Sequence, residues 1–187
     1  TKNRDILLVG SVRLANAEQV FRTVASILRE KVRRIPDGET GIARSVWVQC
    51  QTPFFLGHPY LEMVEPEPDK PGAYRPARLP SGGIYADTRA ERYKGRARLR
   101  PGVSPSALRF DNLGYADWAQ ESYALFNRLK SVGDVPGSAR FQVSVPSPHA
   151  PLQLIVLPEE RPKIAPSYEA GIVREITRMA AAIPASA

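Results

Sequence analysis

The chain has 187 residues, 43% hydrophobic and 24% charged, with a net charge of +7. This is the composition of an ordinary globular domain with one buried core, and no apolar run approaches the ~20 residues of a membrane span. Cys50 is the single cysteine, which excludes an internal disulfide and a cysteine cluster for zinc; a reducing, cytoplasmic setting is the expectation.

The stretch DILLVGS (5–11) is a short apolar run ending in Gly-Ser and predicts a buried strand of the kind found in parallel sheets. ANAEQVFRTVASILREK follows. Asn16 suits an N-cap, Gln19 stands at capping-box spacing, and Val20, Phe21, Val24, Ile27 and Leu28 share one helical face. VRRIP (32–36) predicts the next strand, whose ladder Pro36 ends. Strand, helix and strand in so short a span make a unit that feeds a parallel neighbour.

A helical stretch is expected around 45–55. Residues 57–113 then lose periodicity, punctuated by Pro59, Pro66, Pro68, Pro71, Pro76, Pro80, Pro101 and Pro105. This reads as an insertion or lid containing at least one short strand or helix. Inside it, RAERYKGRARLR gathers Arg89, Arg92, Lys94, Arg96, Arg98 and Arg100 around Tyr93. Basic runs with an interleaved aromatic can grip phosphates. No zinc-finger, helix-turn-helix or ribonucleoprotein signature accompanies the run, so the expectation is a solvated or anion-facing loop, with nucleic acid not a partner.

GYADWAQESYALFNRLKSVG (114–133) restores helical periodicity through Trp118, Leu125, Phe126 and Leu129, with Gly133 suited to the C′ position. ARFQVSVPSPHA (139–150) reads as a strand broken into a loop by two prolines. PSYEAGIVREITRMAAAIPA reads as a last helix, with Pro166 near its start and Pro184 as its stop. The order predicts an α/β protein: an incomplete TIM-type (β/α) barrel, since a complete one needs roughly 250 residues. Residues 1–187 would form one partial barrel domain carrying the Pro/Arg-rich insertion.

In parallel α/β folds, ligands gather at the carboxyl ends of strands. Three segments would arrive there: Gly10-Ser11, Asp37-Gly38-Glu39, and the loop bearing Ser144, Ser147 and His149. Each piece alone is most often a turn, and Asp37 could equally cap the helix that follows it. Their repetition at three equivalent positions marks Gly10, Ser11, Asp37, Glu39, Ser144, Ser147 and His149 as candidate ligand-binding residues. Cys50 reads as a small buried hydrophobe and His58 as a loop residue.

LLVGSVRL followed by RRIPDGETG resembles the opening of the methionine synthase/uroporphyrinogen decarboxylase-like barrel superfamily, in particular the catalytic domain of cobalamin-independent methionine synthase and its stand-alone relatives. GYADWAQESYALFNRLKSVGDVPGSARFQVSVPSPHA resembles a helix–strand unit of those relatives. In that family the Gly-Ser after the first strand and a His-Gly-Glu after the second bind the amino-acid end of homocysteine. Gly10, Ser11 and Glu39 match, and Asp37 stands in place of the histidine. The resemblance implies an amino-acid-like or carboxylate ligand at the strand ends and, if the protein is an enzyme, methyl transfer.

It also implies zinc, held in the family by His, two Cys and a carboxylate in a later half of the barrel that this chain does not contain. The sequence therefore offers no metal site and no catalytic residue. The alternatives are a non-catalytic truncated barrel that self-associates through its open edges, and a cyclase or lyase on the same fold.

Overall fold

The computed structural model describes residues 6–41, 44, 47–64 and 96–187. Of the basic run, Arg89, Arg92, Tyr93 and Lys94 lie outside the described residues.

Helix α1 (Ala17–Leu28) begins as its sequence predicts: the Asn16 side chain accepts from the Gln19 N–H at 2.9 Å, and Gln19 reaches back to the Ala15 N–H at 3.2 Å. Both bonds satisfy donors that a helix start leaves open. Val20, Phe21 and Val24 are buried. Ile27, expected on the same face, is 70% exposed near the helix end. Strand β1 (Arg34–Pro36) follows. Helix α2 (Thr52–Leu56) continues a 3-10 turn over Trp47–Gln51, and strands β2 (Leu61–Val64) and β3 (Arg96–Leu99) come next. Helix α3 (Tyr115–Ser131), strand β4 (Arg140–Gln142), helix α4 (His149–Ile155) and helix α5 (Arg161–Ala182) complete the order.

The barrel expectation is corrected by the pairing. Among the described residues there are two sheets of two strands each: β1 with β4 in parallel, and β2 with β3 antiparallel. Residues 6–11, expected as a full strand, make only isolated parallel bridges, Ile6 to Val32 and Ser11 to Gly38. A barrel needs strands bonded along both edges. Here β1 and β4 are three residues each. The chain beyond β4 runs into Pro146 and Pro148, which lack the N–H a ladder requires. The β2–β3 pair turns away into its own sheet, extended by a bridge from Ala97 to Val156.

Two apolar clusters form the core. One gathers Phe21, Val24, Ile35, Phe126, Leu129 and Phe141, with Phe21 meeting Phe126 edge-on at 5.3 Å between ring centroids. Truncating so buried a phenylalanine costs about 3–5 kcal/mol. The other gathers Phe55, Leu61, Ala97, Phe110, Leu113, Tyr168 and Ile172. Residues inside the stretch read as an insertion (57–113), Leu61, Ala97, Phe110 and Leu113 among them, therefore carry core contacts.

Helix α3 joins the clusters, giving Ala116 and Ala119 to the second and Phe126 and Leu129 to the first. Its start is held by Glu175 of α5, 1% exposed, whose carboxylate accepts from the N–H groups of Leu113 at 3.1 Å and Ala116 at 2.6 Å. An acid there also complements the positive end of the helix.

Candidate functional site

The parallel segments end together. Ser11 bridges Gly38, and the Val12 N–H donates to the Gly38 carbonyl at 3.0 Å, so the chain after residue 11 runs beside the turn at 37–39. Gln142 Nε2 donates to the Leu8 carbonyl at 2.7 Å, and Ser144 Oγ to that of Val9 at 3.3 Å, which brings in the chain after β4.

The turn is tightly specified. Gly38 has φ 81°, and a Cβ on it would lie 2.7 Å from Val20 Cγ2, so both conformation and space demand glycine. Glu39 also has positive φ, 51°. A non-glycine residue there costs about 1 kcal/mol or more, and such strain clusters at binding sites. Asp37 holds the turn from beneath. It is 6% exposed and accepts from the Glu39 N–H at 3.1 Å, from Ser122 Oγ at 2.8 Å, and from two nitrogens of Arg44 at 2.5 and 3.2 Å. Those bonds saturate a carboxylate. Asp37 is thus a scaffold group that ties β1 to α3 and orients Arg44.

Glu39 faces the other way. Oε2 accepts the Ser11 hydroxyl. Oε1 looks toward Gly10, where a Cβ would lie 3.7 Å from it and 2.8 Å from Ser144 Oγ. Glycine at position 10 therefore lets Ser144 approach the backbone closely, and a side chain there would collide with it. Glu39 and Ser144 border a recess, lined also by Arg44, Cys50, Tyr115, Trp118 and Pro146, with about 10 Å³ of free volume. One water-sized group fits in that volume.

The far wall comes from the other core. Trp118 meets Tyr115 edge-on at 5.8 Å, and the Arg44 guanidinium lies 5.4 Å from the centre of the Trp118 ring. The Tyr115 hydroxyl is buried beside Tyr168 and Cys50 without a hydrogen bond of good geometry, and burial raises its pKa. Burial also raises the Cys50 thiol. Gln51, Tyr115 and Arg44 pull it down, and the Glu39 charge pushes it further up.

Of the residues marked from sequence, the structure brings together Gly10, Ser11, Glu39 and Ser144, with Asp37 directly beneath. Ser147 is exposed, and His149, also exposed, opens helix α4; neither lines the recess. His58 lies elsewhere, with Nε2 2.9 Å from the Arg109 carbonyl and Nδ1 accepting from the Tyr60 N–H at 3.2 Å. Arg44, Cys50, Tyr115 and Trp118 were not marked. They belong to other elements, and only tertiary packing places them here.

The zinc that the resemblance implies does not fit these donors. The chain's one cysteine lies near Glu39, while its two histidines, His58 and His149, lie outside the recess. Among the described residues no group of three or more His, Cys, Asp or Glu side chains gathers, and no helix is long and apolar enough to cross a membrane. Compared with known proteins, the chain matches no family model, no curated protein and no solved structure.

Proposed function

We propose that the protein binds a small amino-acid-like zwitterion at the mouth of this recess. The Glu39 carboxylate holds the ammonium group, and the ligand carboxylate lies toward Arg44. The observation that carries the reading is the meeting of two acceptors, the Glu39 carboxylate and Ser144 Oγ, with the Arg44 guanidinium around one recess.

Arg44 also retains N–H groups beyond those bonded to Asp37, and its guanidinium geometry suits a carboxylate. The reading is one of binding. Methyl transfer is not carried forward, because the donors it would need for zinc do not gather at this recess. The test is a ligand-observed NMR screen of the common amino acids, with the corresponding simple amines and carboxylic acids as controls. Binding of amino acids above both control sets supports the reading, and equal signals from all three sets refute it.

Self-association is a second reading. Leu7 and Val9 are 70% and 93% exposed on the segment at the margin of the parallel sheet, an apolar strip suited to a second copy of this chain. Sedimentation at rising concentration tests it, and a monomer throughout would refute it.

A further inference from the structure

We infer that Arg34 and Arg140 form a site for a phosphate dianion, on the parallel sheet but at the strand starts, away from the end that carries Glu39. Strands β1 and β4 pair in register, with Arg34 beside Arg140, Ile35 beside Phe141 and Pro36 beside Gln142. Side chains alternate along a strand, so registered partners project from the same face. Ile35 and Phe141 belong to the first core, which places Arg34 and Arg140 together on the opposite face, and both are exposed. Registered neighbours lie about 5 Å apart, and like charges set opposite one another repel.

The two guanidinium groups differ in what they already hold. Arg140 collects oxygen acceptors: Nε donates to the Ala187 backbone oxygen at 3.2 Å, and Nη2 donates to that of Ala185. Those bonds fix its side chain and leave Nη1 for a ligand. Arg34, one strand away, pairs with no carboxylate among the described residues. Lys130 brings a third positive charge to the same end of the sheet, its Nζ donating to the carbonyl of Ala139, next to Arg140, at 2.8 Å. Guanidinium N–H groups take phosphate oxygens in pairs, and one dianion offsets two such charges where a single carboxylate offsets one. This site is separate from the recess and stands whether or not that recess binds an amino acid.

The experiment follows the melting temperature of the full chain in low-salt buffer. Inorganic phosphate, glycerol phosphate, acetate or sodium chloride is added at equal ionic strength, and the series is repeated on Arg34→Gln and Arg140→Gln. We expect saturating phosphate to raise the parent's melting temperature by about 2–4 °C above the chloride control, and both variants to lose that increment. Arg34→Gln, which relieves the repulsion, should melt no lower than the parent in plain buffer. Glycerol phosphate as effective as inorganic phosphate supports the site and marks its ligand as an ester, whereas an effect of inorganic phosphate alone supports it and marks the free ion. Phosphate that does no more than chloride overturns the site, as does an increment that Arg34→Gln keeps. Acetate as effective as phosphate overturns the assignment of a dianion.

Discussion

Ser11 donates its hydroxyl hydrogen to Oε2 of Glu39, joining residues 28 apart in sequence where two parallel segments end. The bond fixes one carboxylate oxygen and leaves the other facing Gly10. Arg44 lines the same recess as Glu39, and its guanidinium is paired with Asp37. Two carboxylates on one short turn thus take different places. Asp37 builds the turn, and Glu39 faces the recess.

Gly10→Ala tests the close approach of the segments beside Glu39. Its new methyl would lie 2.8 Å from Ser144 Oγ and 3.1 Å from Ser144 Cβ, so Ser144 would have to shift from its place in the recess wall. The expected outcome is loss of amino-acid binding with a denaturation midpoint lowered only modestly, since Ser144 is half-buried and can shift. Calorimetry and urea melts on the same preparation check it. Binding that survives the substitution would place the ligand elsewhere.

Asp37→Ala tests the scaffold role. It strands the Arg44 guanidinium and removes the acceptor for Ser122 and the Glu39 N–H, all near the core. Breaking a buried pair in this way costs about 3 kcal/mol or more, which should appear as a lower urea midpoint with little change in slope. A variant as stable as the parent would contradict the scaffold assignment.

The sequence shows the local units well and their assembly poorly. Asn16, the Val20–Phe21–Val24 face and the 114–133 periodicity mark α1 and α3 because capping and amphipathicity are short-range signals. Gly10, Ser11 and Glu39 are legible for a similar reason: they stand where apolar runs stop. The β2–β3 hairpin is not, since residues 65–95 separate LEMV from RARL and the charges of RARL suggest solvent, although Arg96 is 6% exposed and donates to the Gln153 carbonyl at 2.6 Å. Helix α4 was masked by Pro151, which a first helical turn tolerates; the spacing of Leu152 and Ile155 was the available signal. The barrel expectation failed at the level of strand pairing, which depends on partners far along the chain. Arg44, Cys50, Tyr115 and Trp118 were missed because no local pattern tells which core will meet the strand ends.

Cys50 offers a probe of the recess charge. Burial raises its thiol pKa, and the neighbouring Glu39 carboxylate raises it further, while Arg44 lowers it. Since the thiolate is the reacting form, alkylation by iodoacetamide should reach half-maximal rate at a higher pH than for a free cysteine. Glu39→Gln removes a negative charge and should move that midpoint down. A pH–rate profile like that of a free thiol, unchanged by the substitution, would contradict the arrangement.

Calorimetric titration of Glu39→Gln beside the parent, with the best-binding amino acid from the screen, decides whether the turn is a site. A charge-assisted hydrogen bond contributes about 1.5–3 kcal/mol, so the neutral amide should weaken binding by roughly tenfold or more. The melting temperature should change little, because Glu39 is half-buried and its carboxylate is bonded to the hydroxyl of an exposed serine, Ser11. Unchanged affinity in a folded variant would contradict the site and leave the stretch a turn.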